Sequence, residues 1–183
     1  MNLLTRRIFL IGGIAAAVIP SSAVAQTRRV TATRTHITWN QAYDAITTAG
    51  VCDKGALLLT AQWALETDRG RKMYRYNFAG IKGSGPEGIY CLLRTVEIKK
   101  GKRVRIYQRF RAYSVMQLGA DDFVKVLKET FPRSYAAACE GNVRKYTRTL
   151  KEEGYYTSSP WTYESALRRH IELAKKNGDK VSH

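Results

Sequence analysis

The chain has 183 residues, of which 44% are hydrophobic, which excludes a disordered tail and suits one domain with a real core. Its 31 Lys and Arg outnumber 15 Asp and Glu, a net charge of +16, so its partners or surroundings are anionic. Three cysteines without a CxxC pair, and three isolated histidines (His36, His170, His183), give no metal-ligand spacing, so no metal or cofactor is expected and the histidines are expected at the surface.

Residues 1–25 read as a signal peptide: a basic head with Arg6 and Arg7, an apolar run from Ile8 to Ile19, and the small-residue site Ala23-Val24-Ala25. The run is too short and interrupted for a stable membrane span. Thr5-Arg6-Arg7-Ile8-Phe9-Leu10 also resembles a twin-arginine signal, so either export route fits, and the expected location is periplasmic or secreted. Removing this segment leaves 29 basic residues against 15 acidic ones, a net +14. The basic residues are scattered and no nucleic-acid motif appears, so the anionic cell wall is the expected surface and nucleic acid is not. Export permits one disulfide among Cys52, Cys91 and Cys139 with a thiol left over, and spacing does not choose the pair.

Residues 26–37 are basic, polar and without period, and read as a loose arm before a domain at 38–183. Thr38 with Gln41 forms a capping-box pair for a helix to about Thr48. Asp53 is a candidate cap for a second helix running through Leu57-Leu58-Leu59 to Thr67 and stopping at Gly70. Glycines and Pro86 make 74–88 a loop, and two β-prone runs around Lys99-Lys100-Gly101-Lys102 predict a hairpin over 89–114. Ser114 with Gln117 predicts a capped helix to Glu129; further helices are expected from Pro132, after Asn142, and over about Tyr163 to Lys176. The fold class is therefore α+β, mainly α, with one hairpin after a central helix. No repeat or second domain is present, and a monomer is expected.

Within "AQWALETDRG" a single carboxylate, Glu66, shares a helix face with Gln62, Trp63 and Leu59. An apolar wall raises a carboxylic acid's pKa, which is what a general acid at neutral pH needs. An exposed pairing of Glu66 with Arg69 is the alternative that periodicity alone also allows.

The flanking segments decide between them. "LLLTAQWALETDRG" followed by "YNFAGIKGSG" resembles the glucosaminidase domain of glycoside hydrolase family 73, where an A-x-E-[ST]-x-x-G helix end precedes an N-[LF]-x-G-I-K loop. "TVEIKKGKRVRIYQRFRAYSV" is similar to that family's hairpin, followed by its aspartate-containing helix, here Asp121-Asp122, and "EEGYYTSSPWTYESAL" to its late G-Y-A-T segment. The resemblance covers residues about 40–175 and implies a lysozyme-like helical domain with a small β-hairpin lobe and a sugar-binding cleft. It implies glycan strands of peptidoglycan as substrate, cut at β-1,4 bonds after N-acetylglucosamine with Glu66 as general acid. An N-acetylmuramidase on the same fold, or a non-catalytic wall-binding protein, are the alternatives.

The resemblance also assigns supporting residues. Glu97, on one strand face with Thr95 and Leu93, is implied as the second carboxylate, activating water or stabilising an oxocarbenium-like state unless the substrate's acetamido group attacks. Its place on a hairpin joined through a glycine-rich loop suggests a wide gap from Glu66, and Glu87 in that loop is the weaker rival. Tyr155 is implied beside Glu66, although the insertion after it leaves Tyr156 as the other choice. Asn77, Phe78 and Gly80 are implied at the cleft wall, with Trp63 expected as packing and Trp161 and Tyr74 as candidate sugar stackers.

Overall fold

The computed structural model describes residues 27–99 and 102–181; of residues 97–99 and 102–103 the backbone alone is described. The expected signal segment lies outside the described residues, as does His183.

Among the described residues there are six helices, and three of them begin at a side-chain cap. Helix α1 (Trp39–Thr48) opens with the expected capping box, in which Gln41 N donates to Thr38 Oγ1 and Thr38 N donates to Gln41 Oε1. Helix α2 (Asp53–Thr67) runs as expected, but Cys52 rather than Asp53 is its N-cap, and Asp53 sits in the first turn where its charge faces the helix dipole. This helix is buried on nearly all sides, because α1, α4 and α6 all pack against it. Its leucines and alanines fill the centre of the core with Trp63, Phe78 and Phe123.

The hairpin is β2 (Ile89–Lys99) and β3 (Lys102–Arg111), antiparallel, with Cys91 opposite Phe110 and Glu97 opposite Val104. A third strand was not expected. Residues 27–37, read as a loose arm, supply β1 (Arg28–Arg29), which pairs in parallel with Ile89 and Tyr90. The same stretch docks on the loop after α2: Thr35 N donates to Met73 O, and Arg75 Nε donates to Thr31 O. Composition alone does not reveal this order, because the partners that satisfy these backbone groups lie some 40 residues or more away in the chain.

Helix α3 (Met116–Thr130) begins one residue later than Ser114 predicts, with Val115 as a cap that makes no side-chain bond. Ser114 is taken by Glu87, whose carboxylate accepts both its backbone N–H and its hydroxyl, and Gln117 reaches Ala45 O instead. Helices α4 (Pro132–Cys139) and α5 (Val143–Glu152) follow Pro132 and Asn142 as expected. Helix α6 (Pro160–Lys176) starts three residues before the expected Tyr163, because Ser159 caps it and Pro160 suits the first turn. His170 on α6 is half-buried rather than at the surface; burial, then the charge of Arg69, pushes its imidazole down to about 4.

Helix α3 meets the loop after α2 at Gly119, where an added Cβ would lie 2.0 Å from the carbonyl oxygen of Tyr76. Tyr76 itself is in the left-handed region, so that carbonyl has little room to retreat. Gly119→Ala is expected to destabilise the fold by at least about 1–3 kcal/mol, seen as a lower urea midpoint with unchanged slope; an unchanged midpoint would show that the two backbones can part at no cost.

Candidate active site

The last turn of α2 explains the spacing of its motif. Thr67 Oγ1 donates to Trp63 O and accepts from Gly70 N, so one hydroxyl closes the helix and starts the turn beyond it. Asp68 and Arg69 both take left-handed backbone there, and a Cβ on Gly70 would press on Ile37 O and Trp63. A Thr directly after the Glu and a Gly three further on are therefore geometric needs. Between these fixed points Glu66 is held with only 7% of its surface exposed.

Around Glu66 stands a group of tyrosines. Tyr163, from the first turn of α6, donates its hydroxyl to Glu66 Oε1 at 3.0 Å. Burial, and after it the charge of Glu66, raise the Tyr163 phenol well above its ordinary range, so it remains a donor. Tyr156 stacks flat on Tyr163 with ring centroids 4.2 Å apart, and its hydroxyl donates to Thr147 O. Burial and then Glu164 push Tyr156 up to about 12. Tyr155 is buried edge-on to both Tyr163 and Phe131. One turn before Glu66, Gln62 accepts the hydroxyl of Tyr146, a phenol raised first by burial and then by the Glu66 charge.

The expected residues divide. Tyr155 and Tyr156 both join Glu66 in this cluster, but the hydroxyl that reaches the carboxylate belongs to Tyr163, which the sequence reading passed over. Its signal was present: Pro160-Trp161-Thr162-Tyr163 ends the same late segment, displaced by the insertion. Asn77 is a strut rather than a sugar contact, since its amide donates to Ile81 O and Arg111 O and accepts from Ile81 N. Phe78 is fully buried between Trp63 and Phe123, as part of the core. Gly80, half-buried, takes a positive φ of 63° that lets this loop turn. Trp63 is core as expected, its indole N–H directed at Met73 Sδ. Tyr74 accepts from Arg34 Nε, whereas Trp161 stands 76% exposed at the start of α6.

For the second carboxylate the backbone gives a register only: position 97 shares a strand face with 95, 93 and 91 along β2, and the Glu97 side chain lies outside the described residues. The Glu87 carboxylate accepts from the backbone N–H and hydroxyl of Ser114. Next to the tyrosines, a small apolar hollow is lined by Ala79, Ile81, Phe123, Leu127, Phe131 and Tyr155.

The mainly helical α+β fold is that of lysozyme-like glycoside hydrolase domains, and in this chain its central helix ends in a buried, hydrogen-bonded carboxyl group. The chain belongs to the glucosaminidase family, described as mannosyl-glycoprotein endo-beta-N-acetylglucosaminidase, which matches residues 39–176. It is 30% identical over 119 residues to the peptidoglycan hydrolase FlgJ of Pseudomonas aeruginosa. That match covers 61% of this chain but only 30% of the relative, so the chain spans under a third of that protein's length. Among solved structures it is similar to a peptidoglycan hydrolase mutant from Sphingomonas sp. A1, at 33% identity and TM-score 0.54, over 73% of this chain and 88% of that one. It is also similar to the catalytic domain of the autolysin Auto from Listeria monocytogenes, at 25% identity and TM-score 0.59, over 75% and 80% of the two chains.

Tyr163→Phe keeps the ring against Tyr156 and deletes only the donor to Glu66. The fold should survive, with unchanged far-ultraviolet circular dichroism, while glycan turnover falls by up to about 10-fold, as a typical hydrogen bond contributes about 0.5–1.5 kcal/mol. Turnover at the wild-type rate would remove Tyr163 from the working site.

Proposed function

We propose that this chain is an extracytoplasmic peptidoglycan hydrolase, periplasmic or secreted, that cuts the β-1,4 bond after N-acetylglucosamine with Glu66 as general acid. The observation that carries the reading is the Glu66 carboxyl group, buried at the end of α2 and held on one oxygen by Tyr163. A carboxyl group screened from water in an apolar setting is the arrangement in which a glycosidase keeps an acidic proton for the leaving oxygen. Family membership and relatives that are themselves peptidoglycan hydrolases support the substrate class.

In the proposed course, Glu66 protonates the glycosidic oxygen as the bond lengthens and positive charge develops on the sugar ring. Tyr163 fixes which way the carboxyl group faces, and Gln62 with Tyr146 supports the preceding turn. Tyr155, edge-on to Tyr163 beside Glu66, is assigned to the acetamido group of the sugar in the reacting position. Charge on the ring is quenched either by that acetamido oxygen or by water activated at Glu97. Asn77, Phe78 and Gly80 shape the wall that receives the strand, and Trp161 offers an exposed ring to a neighbouring sugar. The net charge of +14 after removal of residues 1–25 supplies attraction to the anionic wall.

Glu66→Gln preserves size and hydrogen bonding but has no proton to give, so lysis of purified sacculi should fall by about 10²–10⁴-fold with the fold intact. Glu97→Gln should cost far less if the acetamido group attacks, and nearly as much if Glu97 activates water. Mass spectrometry of released muropeptides should show N-acetylglucosamine at the new reducing end; N-acetylmuramic acid there would make the chain a muramidase. Lysis by folded Glu66→Gln at near wild-type rate would overturn the assignment.

Wall attraction has its own readout. Binding of the Glu66→Gln variant to sacculi should weaken steeply as salt rises, since exposed charges are screened over about 8 Å at physiological ionic strength. Binding that ignores salt would mean the cleft alone holds the substrate.

A further inference from the structure

We propose that Cys52 and Cys139 form an intramolecular disulfide that staples the start of α2 to the end of α4, and that Cys91 is the thiol left over. Cys52 is the N-cap of α2 and Cys139 the last residue of α4, 87 residues apart in the chain. Cys52 Sγ donates to Cys139 O at 3.7 Å. Both sulfurs converge on Gly55, where a Cβ would meet Cys52 Sγ at 3.3 Å and Cys139 Sγ at 3.4 Å. Gly55 therefore leaves open the space in which the two side chains meet. On the other side of the junction Gly141, just past α4, rests against the side chain of Lys54, so the backbones of the two helix ends are already close. A disulfide needs short separation and facing Cβ vectors, which most pairs of surface cysteines lack.

The surroundings favour closure of this pair and no other. The Cys139 thiol is raised by burial and next by its hydrogen bond to Cys52, so the two groups already interact as thiols. Cys52 is exposed and able to meet an oxidant, whereas Cys139 is half-buried behind it. Cys91 is fully buried at the root of the hairpin, opposite Phe110, and belongs to a different part of the fold.

The reaction is two exchanges with an oxidant disulfide, either a low-molecular-weight disulfide or that of an oxidising protein. The Cys52 thiolate attacks one oxidant sulfur and expels the first thiol, giving a mixed disulfide; the Cys139 thiolate then attacks Cys52 Sγ and expels the second. Two electrons pass to the oxidant, which leaves as two thiols, and the two cysteine protons pass to these or to solvent. The closed loop contains Glu66, the whole hairpin and α3, so the bond restricts the unfolded chain over the catalytic half of the molecule.

Occurrence of the bond in the cell rests on the extracytoplasmic reading; its formation is tested without it. The purified chain is equilibrated with glutathione disulfide, alkylated, digested and mapped by mass spectrometry without reduction. The expected result is a single linked peptide pair containing Cys52 and Cys139, two hydrogens lighter than the free peptides, with Cys91 alkylated only after unfolding. Reduction should lower the Tm of wild type and of Cys91→Ser by about 10 °C, while leaving the Cys52→Ser/Cys139→Ser variant unchanged. Alkylation of both Cys52 and Cys139 in the oxidised native protein, a link through Cys91, or a Tm indifferent to reductant would overturn the proposal. None of these readouts measures catalysis, so their failure leaves the role of Glu66 untouched.

Discussion

A carboxyl group at the end of a helix buried on nearly every side needs a donor that is buried with it, and the hydroxyl of Tyr163 is that donor. Much of the helical lobe follows from bringing the two together. Helix α6 must lie against α2, its N-terminus must be fixed by Ser159 and Pro160, and the segment between α5 and α6 must fold back so that Tyr156 backs the Tyr163 ring. Tyr155 and Phe131 then close the edge. A desolvated hydrogen bond of this kind is costly to leave half made, so the aromatic packing around it holds the acid in one orientation.

The joint between the helices and the sheet depends on a second constraint, centred on Arg111 at the end of β3. Its carbonyl accepts from Asn77, and its guanidinium donates to both carboxylate oxygens of buried Asp122 on α3. Tyr113 adds its hydroxyl to the same carboxylate; burial and then the Asp122 charge raise that phenol well above its ordinary range. Both contacts come from one nitrogen, Arg111 Nη1, and such charge-assisted hydrogen bonds are stronger than neutral ones, so they tie the root of the hairpin to α3.

What could be read from the residues was what the residues settle locally. The Thr38–Gln41 box, the run of α2 to Thr67, the pairing of the two strands and the helix after Asn142 all depend on residues within a few positions, and each appears where its pattern predicts. Glu66 was legible because its helix end and following loop together form a distinctive signature. The misreadings share one cause, a partner far along the chain. Glu87 takes Ser114 from its expected cap, β2 orders the arm at Arg28–Arg29, and the backbone of Ile81 and Arg111 occupies the amide of Asn77. Phe78 and Tyr163 could be named as aromatic, but which faces the core and which faces the acid depends on how α3 and α6 dock. Tyr163 in particular is set by helix packing nearly a hundred residues from Glu66.

The clamp on Arg111 makes the hairpin a cantilever. Its root is gripped by Asn77, Asp122 and the added strand β1, while among the described residues no helix packs along its outer half, where Val96 and Tyr107 stand 45% and 71% exposed. Position 97 is about 20 Å from that root at the usual rise per strand residue. Over such an arm, a tilt of about 10° carries position 97 through roughly 3–4 Å while the root shifts hardly at all. If the proposed function holds, the distance of position 97 from Glu66 follows the stiffness of that root, and a substitution at Arg111 or Asp122 would act through leverage, far from position 97 itself.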